Sequence, residues 1–140
     1  MFHTRPAAVA GAFYPDERPT LLAQVEGGLH AARGPRGGGR PPQAIIAPHA
    51  GYVYSGPVAA TAYARVTALR GKVSRVVVAG PAHRAWVRGA AVPRADRFAT
   101  PLGDVRVDAE AIALLRRLPF VETSDEAHAH EHSLEVQLPF

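Results

Sequence analysis

The stretch "QAIIAPHAGYVYSGPVAATAYARVTALRGKVSRVVVAG", residues 43–80, decides the fold. It opens on a short apolar run at 43–47. It closes on a longer one at 72–80, in which Val73, Val76, Val77 and Val78 are β-branched. Between them, Val58, Ala62, Val66 and Leu69 recur at the spacing of one helical face. The pattern predicts a strand at 43–47, a helix over 56–70 and a strand over 72–80. That order is a βαβ unit, which joins two parallel strands by a right-handed crossover. The run at 72–80 is almost continuously apolar, the pattern of a strand covered on both faces. The expected fold class is α/β, with a mostly parallel sheet and flanking helices.

Outward from this unit the signals are shorter. "PAAVAGAFYP" reads as an extended segment closing in a turn. Residues 18–32 read as a helix, with Pro19 in its first turn and Leu21, Leu22, Val25 and Leu29 on one face. "RGPRGGGRPP", 33–42, reads as a flexible loop. Its alternative is an RGG-type nucleic-acid segment, against which stands its occurrence as one short copy between two elements. A strand is expected at 86–92, then a turn at 101–104 and a short strand at 105–107. A helix follows over 108–118, with Asp108 as N-cap and arginines in its last turn. Residues 120–140 hold a loop and then the start of a helix.

Composition narrows the function class. The 140 residues fit one ordinary domain, and 47% hydrophobic content is enough for a core. All but one of the sixteen basic residues are arginine, scattered along the chain, so the net charge of +4 does not point to nucleic acid. With no cysteine, neither a disulfide nor a thiolate metal site can form within these residues. The first residues lack the basic start and long apolar run of a signal peptide, and no run reaches the roughly 18 apolar residues of a membrane helix. The expected location is the cytoplasm, away from membranes. The C-terminal "EHSLEVQLPF" is apolar and helix-like without a polar tail, whereas domains usually end in exposed polar residues. Residues 1–140 are therefore expected to be the N-terminal portion of a single α/β domain.

Histidines carry the chemistry. Parallel strands direct their C-terminal ends to one sheet edge, where open α/β folds hold their ligands. The first predicted strand runs into "APHAG", giving His49, and the second into "GPAHR", giving His83. Two imidazoles on one rim suit a shared divalent metal ion, which histidine binds through a neutral ring nitrogen. The plainer reading is that each ring only hydrogen-bonds its own loop. A third feature is "AHAHEHSLE", with His128, His130 and His132. The alternating spacing excludes the helical HExxH zinc motif. A helix starting after Ser133 would favour a neutral His132, which beside a metal is a usable general base.

"AGAFYP", "APHAGYVYSG", "GPAHR", "TPLGDV" and "EHSLEVQLPF", in this order, resemble the Memo family, whose bacterial and archaeal members are called AmmeMemoRadiSam system protein B. The matches cover nearly the whole chain, and family members are about twice as long. The family fold is similar to class III, LigB-type extradiol dioxygenases, which are non-haem iron enzymes. The resemblance implies that His49 and His83 belong to a metal cluster and that His132 matches the acid–base catalyst of the dioxygenases, close enough to count as a third metal-site residue. It also implies a cysteine ligand from the second half of the family's chain, so the expected iron(II) or copper site is incomplete here. His128 and Asp125 lie near the pocket in the matched motif without an assigned role, and His3, His30 and His130 are read as surface residues.

Three functions follow from the resemblance and the residues. The first is a metal-dependent oxidoreductase related to the dioxygenases, with the family's cysteine in place of their carboxylate arguing against simple catechol cleavage. The second is a non-catalytic binding module for a peptide or another anionic ligand, with Tyr52, Tyr54 and Arg84 as contacts, packing being an equal reading of the two tyrosines, and an AMMECR-type protein and a radical SAM protein as implied partners. The third, a metal-dependent hydrolase, lacks an acidic ligand cluster. Structurally, His49, His83 and His132 are expected to converge. The strands near 44–47 and 73–79 are expected to pair in parallel. Leu134, Val136, Leu138 and Phe140 are expected to be more exposed than Ile45, Val77 and Val78.

Overall fold

In the computed structural model, which describes residues 3–32 and 40–140, the core forms where the start of the chain meets its last ten residues. Tyr14, Leu21, Val25, Tyr52 and Val136 make up its buried centre, with Val9, Phe13, Leu29, Leu102 and Phe140 packed around them. Two helices frame it. Helix α1, Arg18–Ala31, carries a proline in its first turn, where the missing N–H costs nothing, and buries Leu21 and Val25. Helix α2, Tyr52–Ala64, buries Tyr52, Ser55, Gly56, Ala59 and Ala60, a stripe of mostly small residues. The helices touch at Gly28, where an added Cβ would stand 3.2 Å from that of Ala60.

The strands are short. β1, Thr4–Arg5, pairs in parallel with β3, Arg97–Phe98, and β3 pairs antiparallel with β4, Val105–Arg106. β2, Ala90–Val92, pairs in parallel with β5, Val121–Thr123. Helix α3, Ala109–Leu115, lies between β4 and β5 in the chain, and the Asp108 carboxylate caps it by accepting from the Ala111 N–H at 2.9 Å. Helix α4, Glu126–Ala129, is a single turn, and the chain then passes through a 3₁₀ turn at Glu135–Gln137. The protein is thus a mixed α/β fold with four α-helices and two small sheets among the described residues. No described helix is long and apolar enough to cross a membrane.

A buried carboxylate organises the core. Glu135 is fully buried and accepts from the Ala8 N–H at 2.9 Å, the Val9 N–H at 3.0 Å and the Tyr14 hydroxyl at 2.6 Å, and it pairs with the Arg5 guanidinium. Arg5 also donates from Nε and Nη2 to the His128 carbonyl, at 3.0 and 2.7 Å, and from Nη2 to the Glu131 carbonyl at 2.8 Å. Its guanidinium carbon lies 5.3 Å from the Phe98 ring centre. Burying a charge is costly unless it is paired and hydrogen-bonded, and here both members are. Tyr52 adds a second clamp by donating its hydroxyl to the Val136 carbonyl at 2.7 Å.

Several expectations change. The segments at 43–47 and 72–80 join no sheet among the described residues, so the expected parallel pairing of 44–47 with 73–79 is not found. A β-branched run is stable as a strand only against a neighbouring strand and packed faces, and this one has neither: Val76 is 74% and Val77 81% exposed. The expected exposure order fails, because Val136 is buried in the apolar cluster and Leu134, Leu138 and Phe140 are half-buried, whereas Val77 and Val78 are exposed and Ile45 is half-buried. The helix expected over 56–70 starts four residues earlier, at Tyr52, whose N–H is taken by the Phe13 carbonyl at 2.7 Å. Pro57 is held within it, and the chain leaves helical geometry after Ala64 for a short 3₁₀ turn at Thr67–Leu69. The strand expected at 86–92 is confined to its last three residues, and Leu22 faces outward from α1. Residues 33–39 of the expected loop lie outside the described residues.

Replacing Glu135 with leucine is expected to leave Arg5 buried without its counter-charge and to lower the unfolding free energy by about 3–5 kcal/mol. Urea denaturation of Glu135→Leu and of Arg5→Met with Glu135→Leu checks this, the double variant recovering part of the loss. A loss below about 1 kcal/mol, the scale of an exposed ion pair, contradicts it.

Candidate metal centre

Three chain segments bring their histidines to one place. His49 follows Pro48 in the turn that enters α2, and this turn is held when the Gln137 amide donates to the Pro48 carbonyl at 3.1 Å. His83 follows Pro81, whose carbonyl accepts from the Ser133 hydroxyl at 2.8 Å. Gly80 allows that approach, since a Cβ there would stand 2.9 Å from the Ser133 oxygen. His132 sits two residues before the core-forming run, its ring centre 4.7 Å from that of Phe13. The Pro–His and Pro–Ala–His turns are thus fixed at their carbonyls by side chains from 133–137.

The rings form a triangle. Ring centres lie 5.3 Å apart for His49 and His83, 5.7 Å for His49 and His132, and 4.6 Å for His83 and His132, the last pair nearly stacked. Each offers a nitrogen, and these three atoms all lie within 4.8 Å of one another. That spacing fits three ligands of a single ion, and three imidazoles are a donor set for zinc, copper, iron or nickel. His49 and His132 are half-buried and His83 is open to solvent.

Glu131 sits behind the triangle, buried. Its Oε1 accepts from the His83 ring Nδ1 at 2.9 Å and from the His132 and Ser133 N–H groups at 2.8 Å each, and its Oε2 accepts from the His83 N–H. The same Oε1 lies 3.4 Å from His132 Nδ1. Burial alone would raise the pKa of this carboxyl, but the His83, Ser133 and His132 donors outweigh it and hold the pKa down at about 2. His132 is shifted below the ordinary imidazole value, first by burial and then by His83, His49 and Arg84, with Glu131 opposing. Neutral imidazole is the form that ligates metal. The cause differs from the expected helix N-terminus, because only a 3₁₀ turn follows Leu134.

The remaining sequence-predicted positions separate. Tyr52 is buried, with its hydroxyl committed to Val136, and burial raises its pKa. Tyr54 is 84% exposed on the outer side of α2. Arg84 is exposed next to His83, close enough for its charge to act on His132. His128 is buried apart from the triangle, its Nε2 3.2 Å from the Ala91 carbonyl, and Asp125 accepts from the Arg94 N–H at 2.8 Å. His3, His30 and His130 are exposed. Glu131, Ser133, Gln137 and Phe13 were not singled out as site residues by sequence reasoning. The adjacency of Glu131 to His132 was the available signal, but it gave no hint that the carboxylate reaches His83, 48 residues away.

The family profile described as "Memo: Memo-like protein" matches residues 5–140. Among curated relatives, a "MEMO1 family protein" of Aeropyrum pernix is 44% identical over 97% of this chain and 51% of its own length. One of Ignicoccus hospitalis is 42% identical over 97% of this chain and 50% of its own. One of Methanopyrus kandleri is 41% identical over the same shares. The chain spans about half the length of the curated relatives it matches.

Acid is expected to loosen this centre. Glu131 and Glu135 both titrate below the ordinary glutamate value of 4.5, so they stabilise the fold above that value and lose their contribution as pH falls. For Glu131 the loss runs from 4.5 down to about 2. Unfolding free energy measured across that window should fall steadily, and less steeply in Glu131→Gln. An identical slope in the variant contradicts the assignment.

Proposed function

The chain belongs to the Memo-like protein family, and from that membership together with the convergence of three imidazoles we propose that it supplies His49, His83 and His132 as ligands to one divalent transition-metal ion, iron(II) or copper, used in redox chemistry. The observation that carries this reading is the mutual approach of the three ligand nitrogens within 4.8 Å. The donor set fits, because all three side chains offer an imidazole nitrogen and His132 is held below its ordinary pKa. A bound iron or copper ion would supply a one-electron couple and open coordination positions for a small ligand.

The chain's own residues prepare that centre. Glu131 holds the His83 ring by its Nδ1, and the Phe13 ring covers one side of His132, which limits water there. Arg84 adds a positive charge at the rim, suited to drawing in an anionic ligand. His132 is the ring whose neutral form is favoured, which suits it to ligate or to accept a proton at a ring nitrogen. A second reading, recognition of an anionic peptide or small molecule without turnover, draws on the exposed Arg84 beside the triangle.

The chain carrying no affinity tag is expected to bind one equivalent of iron(II) in anaerobic calorimetry. His49→Ala and His83→Ala should each weaken binding by more than the ~10-fold that a lost outer-shell partner costs. His132→Ala separates its two roles: lost affinity makes it a ligand, and retained affinity makes it a proton carrier. A metal-free chain that still binds phosphotyrosine in an Arg84-dependent manner favours recognition, and unchanged iron affinity in both His49→Ala and His83→Ala rejects the metal reading.

A further inference from the structure

The Glu131 carboxylate has a hydrogen-bond pattern with a consequence for the ring beside it. Four groups hydrogen-bond it, and all are nitrogens: the His83 N–H, the His83 ring Nδ1, the His132 N–H and the Ser133 N–H, with His132 Nδ1 farther off at 3.4 Å. Three of these are backbone amides and can only donate. An ionised carboxylate is acceptor-only, so the fourth contact is satisfied only if His83 carries its ring proton on Nδ1. The lone pair of a neutral His83 ring then lies on Nε2. Glu131 is 4% exposed, so water does not readily replace any of these partners. The two His83 contacts join the loop that carries His83 to the segment that carries His132, and the other two fix the carboxylate within its own segment.

We propose that Glu131 is a positioning residue for the metal centre: it fixes the His83 tautomer so that Nε2 carries the lone pair left for an ion, and it sets the spacing between the His83 and His132 segments. This rests on the metal reading above. Ligating histidines generally donate their other ring N–H to a carboxylate or carbonyl, which orients the ring and raises its basicity. Glu131 has the further property of serving two ligand segments with one side chain. A glutamine in its place retains one acceptor oxygen and turns an N–H₂ toward donors, so at least one of the four contacts must break. Length alone is preserved, which makes Glu131→Gln a test of the acceptor and not of packing.

The test uses the full chain with ¹⁵N-labelled histidine and zinc(II) as a diamagnetic probe. Long-range ¹H–¹⁵N correlation of the unsubstituted, metal-free chain is expected to show His83 as the Nδ1–H tautomer. That measurement stands whether or not a variant folds, and an Nε2–H tautomer at His83 overturns the inference. Glu131→Gln, checked for fold by circular dichroism, is expected to show mixed His83 tautomers and zinc affinity ~10- to 100-fold weaker. A folded Glu131→Gln with unchanged zinc affinity overturns this inference alone. A wild-type chain that binds no zinc overturns the metal reading and this inference with it.

Discussion

The rest of the structure depends on one buried carboxylate. Glu135 has no exposed surface, and it gathers the amides of Ala8 and Val9, the Tyr14 hydroxyl and the Arg5 guanidinium. An unpaired charge at that depth would be strongly unfavourable, so the segment from Arg5 to Tyr14 is drawn in to satisfy it. Arg5 extends the constraint to the His128 and Glu131 carbonyls and thereby fixes the backbone from 128 to 135. The apolar cluster of Tyr14, Leu21, Val25, Tyr52 and Val136 packs around this polar centre. Hydrophobic burial drives the collapse, and the carboxylate selects which segments meet.

Glu131 repeats the device a few residues earlier in the chain. Glu135 ties down the start of the chain, and Glu131 ties down the loop at His83. The two are linked, because the Glu131 backbone is itself held by Arg5 while its side chain holds the histidines. The histidine triangle is therefore an outgrowth of the core's polar centre. Its rings are open to solvent to different degrees, yet their backbones are anchored by Gln137, Ser133 and Glu131.

Much of the site was legible and less of the sheet was. Proline and glycine fix where an apolar run stops, so "APHAG" and "GPAHR" located His49 and His83 at segment ends whether or not those segments pair. Asp108 was legible as a cap because its chemistry is local, and α1 was legible from its period apart from Leu22. The strands at 43–47 and 72–80 were not predictable in their paired state, since pairing is a property of neighbours. Glu135 was illegible for the opposite reason. A charged residue in "LEVQLPF" reads as a solvent-facing position, and only the arrangement in space shows that Arg5 and Tyr14 are waiting for it. Tyr52 and Tyr54 are indistinguishable by residue type, yet one is core and the other lies outside.

The span of the Arg5–Glu135 contact carries a temporal meaning as well as a spatial one. The two residues are 130 positions apart. On a ribosome the segment holding Arg5 to Tyr14 emerges early, and its guanidinium, its tyrosine and two of its amides have no native partner until residue 135 has been translated. Helices α1 and α2 can form from local contacts in the meantime, but the core between them cannot close. The nascent chain must hold its apolar surfaces open for that interval, which is the state that chaperones attend. The order of synthesis thus places Glu135 long after the segment it gathers, and assembly of the histidine triangle waits for its arrival.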